Sequence, residues 1–210
     1  MKTCLMVFSA AAILLLGGCM LPSKDAQTLL EDAFNTDSEF IPFELILEDS
    51  QGWRTHIFAA SETTQRIDYY RKDSLRYTEL YDGHRIYEID YETNEVMQFE
   101  RDGNISTGRN YLVNEIDFLA ATHEIKYVAS KKNKWLNRKV FHIEFYQHDQ
   151  LDYELWVDKH SLVVLKQISH MNGETWEMEA TYFKMKPEFP EELFDLNDHN
   201  YTVVQLEMGK

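Results

Sequence analysis

About a dozen segments of strand length, in which apolar residues alternate with polar ones between short turns, constrain this chain more than any other feature of its sequence. They run over Phe40–Glu48, Trp53–Ala60, Thr64–Arg71, Leu75–Leu80, Arg85–Tyr91 and Glu95–Arg101. A second series covers Glu124–Ala129, Lys139–Tyr146, Leu151–Val157, Leu162–His170 and Thr175–Lys184, and the last strand is expected at Tyr201–Glu207. Aromatic and β-branched residues, which suit a pleated and half-buried surface, dominate them. Asp49-Ser50-Gln51-Gly52, Tyr81-Asp82-Gly83-His84 and Glu92-Thr93-Asn94 carry the Gly, Asn and Asp that tight reversals need. Turns this short imply antiparallel neighbours, because a parallel return needs a crossover of about a dozen residues or more.

Two stretches change period. Ser23 is a candidate N-cap for a short helix over Lys24–Asn35, with Ala26, Leu29, Leu30 and Ala33 at helical spacing. Asn110–Ala121 places Tyr111, Leu112, Ile116, Leu119 and Ala120 on one helical face between the two sets of strands. The fold class expected is therefore α+β: a large curved antiparallel sheet, an open or half β-barrel, with a few helices on its concave face. So wide a sheet twists and curls. Tyr87, Ile89, Met97, Phe99, Phe141, Ile143 and Phe145 alternate on three of its strands and are the candidate lining of an apolar ligand cavity. The competing reading is a closed core in which each of these side chains meets another.

Residues 1–18 read as a leader, with Lys2, an uncharged run from Leu5 to Leu16, and Gly17-Gly18 before Cys19. Leu16-Gly17-Gly18-Cys19 resembles a bacterial lipobox, in which cleavage before the cysteine is coupled to lipidation of its sulfur. Cys19 is accordingly the expected lipid anchor, 19–23 the lipidated tether and 24–210 a single domain. The apolar run is shorter than the ~20 residues of a membrane span. Two or more acyl chains hold firmly, since each buried methylene contributes about 0.8 kcal/mol. The only other cysteine is Cys4, inside the leader, so no thiol is left for a disulfide, metal or redox centre. The formal net charge is −15, and loss of the leader removes one base and no acid. Such a surface is repelled by phosphate backbones, which excludes nucleic acid as an expected partner, and is held off anionic lipid.

The order of motifs resembles the outer-membrane lipoprotein carrier superfamily (LolA/LolB-like). Tyr81-Asp82-Gly83-His84-Arg85-Ile86-Tyr87-Glu88-Ile89-Asp90-Tyr91-Glu92-Thr93-Asn94-Glu95-Val96 is similar to its aspartate-glycine hairpin and the strand after it. Tyr153-Glu154-Leu155-Trp156-Val157-Asp158-Lys159-His160-Ser161-Leu162-Val163-Val164-Leu165-Lys166 is similar to its tryptophan and aspartate hairpin. Phe189-Pro190-Glu191-Glu192-Leu193-Phe194 resembles its closing segment. The resemblance implies an open barrel that binds acyl chains or senses lipidated and misfolded proteins in the cell envelope. The protruding apolar loop of the anchored acceptor has no counterpart here, so only the broader group is implied. The expected function is thus a lipid-anchored envelope protein binding acyl chains or another apolar ligand, in lipid or lipoprotein carriage. The alternative is a protein-interaction or stress-sensor lipoprotein with no ligand cavity. Met20 stands where an inner-membrane retention aspartate would sit in such lipoproteins. That implies the outer membrane, facing the periplasm, in a two-membrane cell and the outer face of the cytoplasmic membrane otherwise.

No enzyme, cofactor or metal is expected. Gly103-Asn104-Ile105-Ser106-Thr107-Gly108 is one residue too long for a nucleophile elbow. His123-Glu124 has no histidine three residues on, and His142 with Glu144 reads as a lone pair on one strand face. Acidic pairs such as Asp152 with Glu154 read as solvated.

Overall fold

The computed structural model describes residues 40–100, 116, 118–119, 121–128, 134–171, 173–196 and 202–205. The leader, Cys19, the tether and the expected helix over Lys24–Asn35 lie outside them. The described strands are β1 (Phe43–Asp49), β2 (Trp53–Ala59), β3 (Gln65–Arg71), β4 (Ser74–Tyr81), β5 (Arg85–Asp90) and β6 (Glu95–Glu100). They continue with β7 (Glu124–Tyr127), β8 (Lys134–Trp135), β9 (Arg138–Gln147), β10 (Gln150–Asp158), β11 (Val164–Met171), β12 (Glu174–Met185) and β13 (Thr202–Gln205). All join one curved, largely antiparallel sheet in the order β13-β6-β5-β4-β3-β2-β1-β12-β11-β10-β9-β7, with β8 paired to β9. Among the described residues β13 and β7 are its unpaired ends, so the sheet is open. No described helix is long and apolar enough to cross a membrane.

Every strand read from the alternation is present, with ends shifted by a few residues; the two-residue β8 is an addition. One pairing departs from the antiparallel expectation, because β13 runs parallel to β6. The chain reaches β13 through the long segment after Met185 and not through a hairpin, which supplies the crossover that a parallel pair requires.

The turns follow backbone chemistry. Gly83 adopts φ 99°, open to glycine and strained for other residues, and Asp82 Oδ1 accepts the amides of His84 and Arg85, each at 2.9 Å. Three two-residue hairpins, Lys72-Asp73, Leu136-Asn137 and His148-Asp149, hold both residues at positive φ, the conformation that matches strand twist. Asn or Asp in second place tolerates it.

The register defines two faces, since directly opposed residues share a side. One cross-strand row runs Phe183, Leu45, Ile57, Ile67, Glu79, Glu88, Met97 from β12 to β6. We call that face inner. Its β9–β11 half is filled: Ile143, Phe145, Leu155, Val157, Leu162 and Val164 are buried together with Ile116 and Leu119. The latter two are helical, as is the exposed Phe118, so the described part of the expected Asn110–Ala121 helix caps this half. A second cluster centres on Phe43, Leu45, Leu47, Ala59, Leu165 and Ala180, and the Trp135 Nε1–H donates to the Ala180 carbonyl at 3.0 Å.

The closing segment crosses the opposite, outer face. Its 3₁₀ turn, Glu191–Phe194, presents the Leu193 carbonyl to Arg66 Nη1 at 3.2 Å, and Phe189 meets Phe58 edge-on at 6.0 Å. On the outer face of β3–β6, Asp68, Thr78, Leu80, Ile89 and Val96 are buried too. This turn thus lies on the face opposite the helical Ile116 and Leu119.

Candidate functional site

Where the inner-face row changes from apolar to acidic, between β2 and β6, lies a cavity of about 450 Å³. Trp53, Tyr69, Tyr77 and Met97 supply its aromatic and apolar wall, Thr78 and Ile89 complete the lining, and its charged groups are Glu79, Glu88 and Asp90. Each is placed by the ladder: Tyr69 opposes Tyr77, Tyr77 opposes Asp90, Glu79 opposes Glu88, and Glu88 opposes Met97. Trp53 enters at the start of β2, after a turn in which Asp49 Oδ1 accepts the amides of Gln51 and Trp53, each at 2.8 Å. The Arg71 guanidinium lies 5.3 Å from the Trp53 ring at the rim.

The electrostatics are one-sided. Tyr69 donates its hydroxyl to Glu79 Oε1 at 3.0 Å. Burial first, then the charge of Glu79, its hydrogen bond and the charge of Glu88, push the Tyr69 phenol well above its ordinary value. The phenol therefore stays a donor, holding one carboxylate in place. Asp90 is fixed differently, its Oδ1 accepting the amides of Glu92 and Thr93 at 2.7 and 3.1 Å. Aromatic faces and carboxylates together form a surface complementary to a cation with apolar flanks.

The seven residues expected to line one apolar cavity do not converge. Phe141, Ile143 and Phe145 share the inner face, but Ile143 and Phe145 are 1% and 0% exposed, within the filled half. Met97 and Phe99 are also on the inner face, opposite Glu88 and Ile86. Tyr87 and Ile89 pair with Gln98 and Val96 and so belong to the outer one, although Ile89 borders the cleft. The reason is parity. Asp90 opposes Glu95 across the hairpin, so odd-numbered residues of β5 meet even-numbered residues of β6. Both faces of this hairpin carry apolar residues, and alternation within each strand cannot say which sets coincide. Glu79, Glu88 and Trp53 were missed for the same reason: only pairing between strands brings them together.

The tryptophan and aspartate hairpin proves structural. Asp158, 1% exposed, accepts Arg138 Nε at 2.6 Å and Nη2 at 3.1 Å, and its Oδ1 also takes the Ser161 amide and hydroxyl at 2.9 Å each. Burial raises its carboxyl pKa, but the Arg138 and Ser161 hydrogen bonds outweigh burial and hold it below the ordinary value.

No protein-family model matches the sequence, and no curated protein matches it. Solved structures do. An uncharacterized conserved protein from Thermus thermophilus superposes with a TM-score of 0.58 at 12% identity, over 86% of this chain and 99% of its own. MucB matches at a TM-score of 0.51 and 15% identity over 84% of this chain, which spans 63% of MucB. MucB in complex with MucA(peri) matches at 0.51 and 14%, over 82% of this chain and 58% of that one. At such identities the likeness is one of fold: the large open sheet is shared.

Proposed function

We propose that this chain is a lipid-anchored cell-envelope binding protein whose inner-face cleft receives a partner segment bearing a basic side chain beside an apolar one. The observation that carries this reading is the lining of the cleft, where Glu79, Glu88 and Asp90 stand among Trp53, Tyr69, Tyr77 and Met97. A purely apolar ligand would make no use of the negative charge of those three side chains. A cationic group gains from both the charges and the rings. The filled β9–β11 half supports the same choice by offering an acyl chain no room beside Ile143 and Phe145. The MucB–MucA(peri) complex supports it by analogy, since a sheet of this fold there accompanies a protein partner. The role proposed is binding, not catalysis.

Carriage of an acyl chain or other apolar ligand, as the carrier-superfamily resemblance implies, is the second reading. One observation favours it: about 450 Å³ is the size of a small-molecule site. The two separate in one titration of the full-length protein in detergent, following tryptophan fluorescence. A short peptide with lysine between aromatic residues is expected to bind, and Glu88→Gln to weaken it at least tenfold. Uptake of a fluorescent fatty acid that is indifferent to Glu88→Gln, with no peptide binding, would give the second reading instead.

The anchor is proposed at Cys19. Cys19→Ala is expected to move the protein from the membrane to the soluble envelope fraction, or to leave it unprocessed. Normal cleavage with retention on membranes after a high-salt wash would defeat that assignment.

A further inference from the structure

Away from the cleft, on the outer face of β9–β11, the sheet assembles a histidine and carboxylate cluster that no sequence spacing announces. Glu144 and Glu154 oppose each other directly across β9–β10. His142 reaches Glu154 diagonally, with its Nε2 2.8 Å from Oε2, and lies 4.0 Å from Glu144 Oε1. The other oxygen of each carboxylate is already engaged: Tyr146 donates its hydroxyl to Glu144 Oε2 at 2.7 Å, and His170 Nε2 lies 3.0 Å from Glu154 Oε1. His142 is itself clamped, its ring stacked on Trp156 at 4.1 Å and 13°. The side chains of His142, Glu144 and Glu154 are 13%, 19% and 13% exposed, so the cluster is half-buried yet open to entry.

We infer that His142 Nε2, Glu144 Oε1 and Glu154 Oε2 form a binding site for a divalent transition-metal ion such as zinc, with Tyr146 and His170 positioning the two carboxylates. Three ligand atoms, one from each residue, lie within 4.8 Å of one another. Ligands about 2.0–2.2 Å from a tetrahedral zinc ion stand about 3.4 Å apart. The His142 separations of 2.8 and 4.0 Å bracket that value, so small side-chain rotations suffice. Paired carboxylates directly opposed on a sheet repel, and a dication between them turns that repulsion into attraction. The neighbouring lysines are held elsewhere: Lys126 opposes Glu144, but its ammonium lies over the Tyr146 ring at 3.9 Å and 3.7 Å from Glu124, and Lys166 is paired with Glu177 and Glu179. Imidazole with carboxylates is a donor set for zinc and its first-row neighbours, and hydrogen bonds to the outward oxygens orient the ligands in the way such sites require. Three protein ligands leave a fourth position for water.

Calorimetric titration of zinc chloride into the full-length, untagged protein in detergent, after stripping with EDTA, tests the assignment. One equivalent per chain is expected. Glu154→Gln and His142→Ala should each weaken binding at least 100-fold, His170→Ala about 10- to 100-fold, and His84→Ala not at all. Cobalt in place of zinc should give visible absorption that Glu154→Gln abolishes. Far-UV circular dichroism checks each fold, and the near-isosteric Glu144→Gln and Glu154→Gln serve if His142→Ala misfolds. No binding by the native chain, or binding that survives both glutamine substitutions, overturns the assignment.

Discussion

Glu79 and Glu88 face each other directly across β4–β5 on the inner surface of the sheet, and the Tyr69 hydroxyl donates to Glu79 at 3.0 Å. Two half-buried carboxylates in one cross-strand pair repel, and the Tyr69 hydrogen bond offsets part of that repulsion at Glu79. Local repulsion tolerated at a cleft wall is the signature of a surface arranged for something other than stability.

Neutralising one of the pair should therefore relieve the sheet while spoiling the cleft. Glu88→Gln is expected to leave the unfolding free energy unchanged or raised by about 0.2–1 kcal/mol, the usual scale of a cross-strand pair. Urea denaturation measures it, and a clear loss of stability would mean that Glu88 has a stabilising partner.

Tyr69 predicts an alkaline limb. Its phenol is raised in the folded state, so its contribution is fully present below the unfolded value of about 10 and is lost as pH rises from there through the folded value. Stability measured between pH 8 and 11.5 should fall more steeply in the native protein than in Tyr69→Phe, which has no proton to lose. Parallel curves would refute this.

Asp158 predicts the opposite limb. Its carboxyl is lowered on folding, so its stabilisation is present above the unfolded value of about 3.9 and disappears as pH falls through the folded one. Asp158→Ala should cost about 3 kcal/mol at neutral pH, because it strands Arg138. Asp158→Asn should flatten the acid limb between pH 5 and 2.

Ile143 tests whether the β9–β11 half is core or cavity. Ile143→Ala is expected to cost about 2–5 kcal/mol and to leave peptide binding at the cleft intact once the protein is folded. A nearly neutral substitution would indicate open space beside Ile143.

Much of this was legible in the chain itself. Alternation is a property of consecutive residues, so each long strand could be read from its own stretch, as could the reversal at Asp82-Gly83 and the open, largely antiparallel sheet. Register belongs to pairs of strands. It set Tyr87 and Ile89 on the face opposite Met97 and Phe99, carried β13 back parallel to β6, and aligned Glu79 with Glu88. It also joined His142 and Glu144, a lone pair along β9, to Glu154 and His170 from the next two strands. A shift of one residue in any ladder would send these side chains to opposite faces, and what sets the ladder is hairpin length, bulge position and burial summed over the whole sheet. Alternation along the chain thus dictates the strands one by one, whereas the chemistry they display together arises only when they are laid side by side.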